Sequence, residues 1–234
     1  MLAFRYHPDL LERFPLVCGG VILAQELQNQ PSPTDLQYAF LAEQRAVLAR
    51  VGATPLSEIG SLAAWRQAFR AFGVDPTKYR SAAEALLRRL TKKGDIPSIS
   101  ALVDICNLVS IRYALPVAAF DGRALQGTVT VRFADGTESF TPHDLELPEH
   151  PEPGEVIFSD ENNLVVARRW CWKQSMESLA RQDTRMAIIT TEAQHEGGRA
   201  DIEAALGDLL GLLQNYIGGQ FQPGVLGLGQ PIIR

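Results

Sequence analysis

The run Arg168-Arg-Trp-Cys-Trp-Lys-Gln174 brings cationic, aromatic and amide side chains together in seven consecutive residues. In an extended strand, alternation puts Arg168, Trp170, Trp172 and Gln174 on one face and Arg169, Cys171 and Lys173 on the other. A guanidinium clamps a carboxylate or phosphate through paired N–H groups, and an indole offers a flat surface to a base or an amino-acid side chain. The first face is therefore a candidate binding wall. The structural alternative is that Trp170 and Trp172 fill core between layers while the arginines pair with Asp104 or Asp121.

A second group lies on an otherwise apolar segment, Ser98 to Ala114. Ser100, Asp104 and Asn107 stand four and three apart, on one stripe of a helix, with Ser110 beside it. A buried polar group without a partner costs about 1–3 kcal/mol, so these residues need bonds. Either Asp104 and Asn107 pin neighbouring loops, or Asn107 faces a pocket. Tyr79 and Arg80 close the set, just before a basic helix.

The elements that must position these groups follow from periodicity and end signals. A strand is expected over Leu16 to Leu23, with Gly19-Gly20 marking a bulge or a close backbone approach. Helices are expected over Thr34 to Val51, with Ser32 as cap and Pro33 in the first turn, and through Leu62, Trp65, Phe69 and Phe72 to Gly73. Ser81 and Glu84 form a capping box for a helix ending at Lys93-Gly94. Ser98 to Ala114, apolar nearly all round, reads as a buried central helix.

Beyond Pro116 the period changes to two. Thr128 to Phe133 alternates and Asp135-Gly136 supplies a hairpin turn, with further strands over Glu155–Ser159, Leu164–Trp172 and Arg185–Thr191. A closing helix capped by Asp201 stops at Gly218-Gly219. Helices first, a strand meander later and no GxGxxG or Walker loop argue against a doubly wound nucleotide-binding fold and point to α+β.

With 234 residues, 46% of them hydrophobic, the chain can bury a large core. No apolar run approaches the roughly 18–20 residues that cross a bilayer, so a cytoplasmic protein without a membrane partner is expected. Three widely spaced cysteines (Cys18, Cys106, Cys171) form neither a disulfide framework nor a CxxC site. Four histidines (His7, His143, His150, His195), mostly in loops and without HxH or HExxH spacing, predict no metal. The net charge of −5 hides a polarity: Arg66 to Lys93 holds eight Lys/Arg against Asp75 and Glu84, while Asp135 to Glu161 holds nine acids and no Lys/Arg. The basic stretch is either a solvated helix face or a phosphate-contacting patch.

The frame of Asp104, Asn107, Pro116, Phe120 and Asp121 resembles the signature of the tRNA-editing (B-three/B-four) domain of the phenylalanyl-tRNA synthetase beta subunit. Lys78-Tyr79-Arg80-Ser81, the Glu84 to Arg89 segment and the Arg168 to Gln174 run look more like freestanding members of that family. The likeness spans about residues 16–193. It implies one such domain over residues 1–234, with a C-terminal helix at 200–217 and a tail. It also implies an α+β fold with strands layered on helices, no metal or other cofactor, and a pocket hydrolysing the ester of a mischarged aminoacyl-tRNA.

Against the synthetase pattern, Cys106 stands for threonine and Ala118 for the pocket histidine. The editing glutamate aligns near Thr190, with Glu192 two residues on, and the Arg168 to Gln174 run replaces a glycine-rich turn. Within that resemblance Asn107, Gln174 and Asp104 are the catalytic candidates. Tyr79, Arg80, Ser110, Asp121, Arg168, Trp170 and Trp172 are the substrate-binding candidates. The partner expected is the aminoacylated 3′ end of tRNA, and the competing reading is a binding module that has kept the fold and lost the chemistry. An amino-acid ligase is disfavoured, as no ATP-binding motif is present.

Overall fold

The computed structural model describes residues 2–142 and 147–234. His143, Asp144 and Glu146, counted above among the histidines and the acidic stretch, lie outside the described residues. In chain order the elements are β1 (Ala3–Tyr6), α1 (Pro8–Arg13), β2 (Cys18–Gln25), α2 (Thr34–Val51), α3 (Gly60–Ala71), α4 (Ala82–Lys93) and α5 (Ala101–Tyr113). They continue with β3 (Val117–Asp121), β4 (Thr128–Phe133), β5 (Val156–Ser159), β6 (Val165–Arg168), β7 (Lys173–Gln174), β8 (Ala187–Ala193), α6 (Gly198–Tyr216), β9 (Gln220–Leu226) and β10 (Ile232–Ile233).

The class is α+β, with two sheets. One runs β10-β1-β4-β5-β6-β7 and the other β3-β8-β2-β9. β4 through β7 form the expected antiparallel meander, and β1 joins it parallel to β4. β2 lies between β8 and β9, antiparallel to both, with Gly19 opposite Glu192. α2, α4, α5 and α6 share one apolar core with β2 and β8, and α5 is buried on nearly every side. A second, aromatic core holds Phe4, Tyr6, Phe14, Trp65, Phe69 and Trp170.

Several ends differ from the sequence expectation for local reasons. Ser32 does not cap α2, because its hydroxyl donates to Asp104 at 2.5 Å, and Pro33 takes the N-cap position without a side-chain bond. Ser81 caps α4 by accepting from the Glu84 amide, but the Glu84 carboxylate, instead of reaching back to Ser81, takes Arg66 at 2.7 Å. Asp201 lies in the first turn of α6 rather than at its cap, which is Gly197, and its carboxylate meets His195 Nε2 at 2.8 Å. Asp135-Gly136 makes a local turn, with the Thr137 amide donating to Asp135, yet the strand paired with β4 is β5, across residues 134–155.

The strand expected over Leu164 to Trp172 ends at Arg168. Arg169 and Trp170 have φ of +46° and +60°, left-handed values unusual for large side chains, and they turn the chain into β7. Their amides are satisfied there, Arg169 donating to Glu155 Oε1 at 2.9 Å and Trp170 to the Val156 carbonyl at 2.6 Å. The alternation assumed for this run therefore breaks after Arg168.

Candidate functional site

A cavity of about 430 Å³ opens where α5, β3 and β8 meet the β6–β7 turn. Its walls are mostly apolar, from Val103, Val117, Ala118, Phe120, Phe158 and Leu179, with Asn107, Gln174, Thr190 and Glu192 as its amide, hydroxyl and carboxyl groups. Ala118 and Thr190 sit directly opposite each other across β3 and β8. Glu192, two residues along the same strand, projects to the same side as Thr190 and lines the same cavity.

Glu192 is 2% exposed. Its Oε1 accepts two hydrogen bonds, from the Tyr6 hydroxyl at 2.7 Å and from Trp170 Nε1 at 3.1 Å. Burial, only partly offset by those donors, pushes its carboxyl up to about 7. The same burial, with the carboxylate as neighbour, holds the Tyr6 hydroxyl protonated well above its ordinary range. Gly19 makes the arrangement possible: a Cβ there would stand 2.1 Å from the Tyr6 hydroxyl oxygen. The close backbone approach expected at Gly19-Gly20 is thus the seat of Tyr6, without a bulge in the β2–β8 register.

Four candidates converge on the cavity: Asn107, Gln174, Trp170 and Trp172. Asn107 comes from the middle of α5, is half-buried, and among the described residues its amide makes no hydrogen bond. Gln174 Nε2 donates to the carbonyls of Ala119 (3.0 Å) and Ser178 (2.6 Å), so its amide hydrogens are used within the fold and its carbonyl oxygen remains for a ligand. Trp170 is wholly buried, its indole packed edge-on against Phe14 and Trp65 at 5.0 and 5.2 Å. Trp172 forms part of the rim with Tyr79, whose ring meets it edge-on at 4.9 Å, and the Arg169 guanidinium lies 3.9 Å from the Tyr79 ring and 4.6 Å from that of Trp172. Tyr79 thus reaches the site through Trp172.

The other candidates are held elsewhere. Arg168, 4% exposed, is closed in by Glu155 (2.9 Å) and Glu149 (2.6 Å); its neighbour Ala167 lines the cavity, and strand alternation turns Arg168 to the other side. Asp104 does not line the cavity; Ser32 Oγ, Ser98 Oγ and the Ile99 amide (2.8 Å) donate to it, tying the loops before α2 and α5 to the helix. Asp121 accepts from Arg123 and from Thr184 Oγ1 (2.5 Å), and the Ser110 hydroxyl donates to the Leu115 carbonyl. Arg80 pairs with Glu84 at 3.7 Å in a separate depression with Arg66, Arg88 and Lys92.

Cys106 and Cys171 line the cavity, but burial pushes the first thiol up to about 12 and the second well above its usual value, so neither is a thiolate nucleophile at neutral pH. Among the described residues no group of three or more His, Cys, Asp or Glu could hold a metal ion, and no helix is long and apolar enough to cross a membrane.

The B3/4 domain model matches residues 64–198, more than half of the chain. The chain belongs to the B3/4 domain family. Over 103 residues it is 34% identical to the phenylalanine–tRNA ligase beta subunit of Idiomarina loihiensis (strain ATCC BAA-735 / DSM 15497 / L2-TR), a match covering 44% of this chain and 13% of that protein. The chain thus spans a small part of that relative's length. Among solved structures it is similar to an N-terminal fragment of the phenylalanyl-tRNA synthetase beta-subunit from Pyrococcus horikoshii, with a TM-score of 0.48 and 11% identity over 94% of this chain and 50% of that one. The pairings that build the site reach beyond the matched range, since Tyr6 and Gly19 come from β1 and β2.

Proposed function

We propose that this chain binds the aminoacylated 3′ end of tRNA in the cavity and hydrolyses the ester of a mischarged amino acid, with Glu192 as general base. The observation that carries this reading is Glu192 itself: a buried carboxyl in the cavity wall, raised to about 7 and so half ionised near neutral pH. A base poised at the working pH combines a usable fraction of the ionised form with real driving force for proton transfer. Membership of the B3/4 family and similarity to a part of a tRNA ligase subunit support the choice of substrate.

In the reaction a water in the cavity gives its proton to Glu192 as its oxygen adds to the ester carbonyl carbon. The free N–H groups of Asn107 stabilise the resulting oxyanion. Collapse of the tetrahedral adduct breaks the bond to the ribose oxygen, which takes the proton back from Glu192. The amino acid leaves as its carboxylic acid, and the apolar walls select an apolar side chain. Arg168, Asp104 and Asp121 take no part.

One observation favours the second reading, a module that binds tRNA without hydrolysis: Gln174 spends both amide hydrogens on Ala119 and Ser178, leaving Asn107, among the described residues, as the side-chain amide donor at the site. Incubating the purified protein with a panel of mischarged tRNAs separates the two. Accelerated deacylation of at least one supports the enzyme. Tight, salt-sensitive tRNA binding with no acceleration across the panel establishes the binding module instead.

A further inference from the structure

Four of the eight cations between Arg66 and Lys93 gather in a depression of about 450 Å³ that shares no lining residue with the cavity. Arg66 comes from α3, Arg80 from the turn before α4, and Arg88 and Lys92 from α4 itself. Glu84, Arg88, Thr91 and Lys92 stand at i, i+4, i+7 and i+8, on one face of that helix. The loop from Gly52 to Ser57 forms another wall and brings the Thr54 and Ser57 hydroxyls to it. Against these cations the lining holds, among the described residues, a single carboxylate, that of Glu84.

Glu84 is buried and holds two of the cations side by side. Arg66 Nη1 meets it at 2.7 Å and Arg80 Nε at 3.7 Å, and both arginine side chains stay partly exposed. A guanidinium carries five N–H donors, so each of these two keeps N–H groups without a partner among the described residues. Arg88 and Lys92 are exposed and, among the described residues, meet no carboxylate. Like charges four residues apart on a helix repel, so this pair opposes folding unless an anion lies between them.

We propose that this depression binds the phosphate group of a small phosphate monoester, with Arg88 and Lys92 on the oxyanion and Arg66 and Arg80, held by Glu84, as a fixed pair of guanidiniums beside it. A phosphate monoester is close to doubly charged at neutral pH, which answers the surplus of cations over Glu84. Guanidinium N–H groups match its oxygens in pairs. The walls come from three segments, the 52–57 loop, the turn with Thr77 and Arg80, and α4. They enclose a compact terminal group, whereas a continuing polynucleotide strand needs an open track. The site stands whether or not the cavity hydrolyses an ester.

Phenyl phosphate, phenyl sulfate and an RNA oligonucleotide with a 5′ hydroxyl serve as probes, each titrated calorimetrically into the full chain at one low ionic strength. Phenyl phosphate should bind saturably and ~10-fold more tightly than the singly charged sulfate. Arg88→Gln and Lys92→Gln should each weaken it ~10-fold, as for loss of one charge-assisted bond, and Arg88→Lys should recover part. Lys93→Gln, in the same turn but outside the depression, should leave it unchanged. All three side chains are exposed, so the variants keep the fold. No saturable binding of phenyl phosphate, or an equal loss in Lys93→Gln, overturns the site. Tighter, Arg88-dependent binding of the oligonucleotide assigns the depression to a nucleic-acid backbone and overturns the monoester.

Discussion

Two buried carboxylates stand on neighbouring elements, and their surroundings differ in one respect that separates structure from chemistry. Asp104, on α5, receives three donors shared between both oxygens and has no place in the cavity wall. Glu192, on β8, receives two donors, both on Oε1, and its side chain forms part of the cavity wall. A carboxylate with its hydrogen-bonding capacity met on all sides is a fastening. One held by a single oxygen beside an open space, and pushed up by burial, can exchange a proton with what enters that space.

Removing each carboxylate should break this comparison in different ways. Asp104→Ala leaves three donors without an acceptor and should destabilise the fold by about 4 kcal/mol, read as a shift in the urea midpoint. If the variant is as stable as the parent, Asp104 is not a fastening.

Glu192 acts on stability through pH. Its folded value lies above the ordinary 4.5, so its contribution to stability is fully present below pH 4.5, declines as pH rises and is lost above about 7. The shift corresponds to about 3 kcal/mol. Glu192→Gln, which keeps an oxygen to accept from Tyr6 and Trp170, should flatten this part of the profile and match or exceed the parent in stability at pH 8. A parallel pair of urea–pH profiles would contradict the assignment.

A finer effect comes from Tyr6. Its hydroxyl stabilises the charged form of Glu192, so Tyr6→Phe should raise the Glu192 midpoint by about one unit, as expected for one bond to a charged group. Isotope-edited infrared spectroscopy of the carboxyl reads that midpoint without any substrate. Gly19→Ala, which places a methyl group against the Tyr6 hydroxyl, should move the midpoint in the same direction, and by less if the ring shifts to keep part of its bond. A midpoint unmoved in both variants would remove Tyr6 from the account.

Elements whose signals are local were legible in the sequence. α2 runs over the residues its periodicity marked, α4 starts at Ser81 and stops at Gly94 as its caps require, and β4 follows its alternation. What escaped depends on distant partners. β1, β9 and β10 are short or irregular and exist through their neighbours in the sheets. The Arg168 to Gln174 run looked like one extended strand because nothing in Arg169-Trp170 announces left-handed backbone. Its two faces therefore did not form, and Arg168 was claimed by Glu149 and Glu155.

The candidate site shows the same division. Asn107 was legible as a polar residue on a greasy helix, and Trp170, Trp172 and Gln174 as a cluster. Glu192 was legible only through the resemblance, as the acid two residues on from the position of the editing glutamate, and the residue that holds it, Tyr6, lies 186 positions away in sequence.

The most direct test is the pH dependence of single-turnover deacylation of a mischarged aminoacyl-tRNA by the parent chain and by Glu192→Gln. The parent rate should rise with pH through about 7 and level off above it, as the base ionises. The variant, still folded, should be slower by ~100-fold or more and lack that step, in the range usual for loss of a general base. A variant that retains the parent rate and profile would contradict the account.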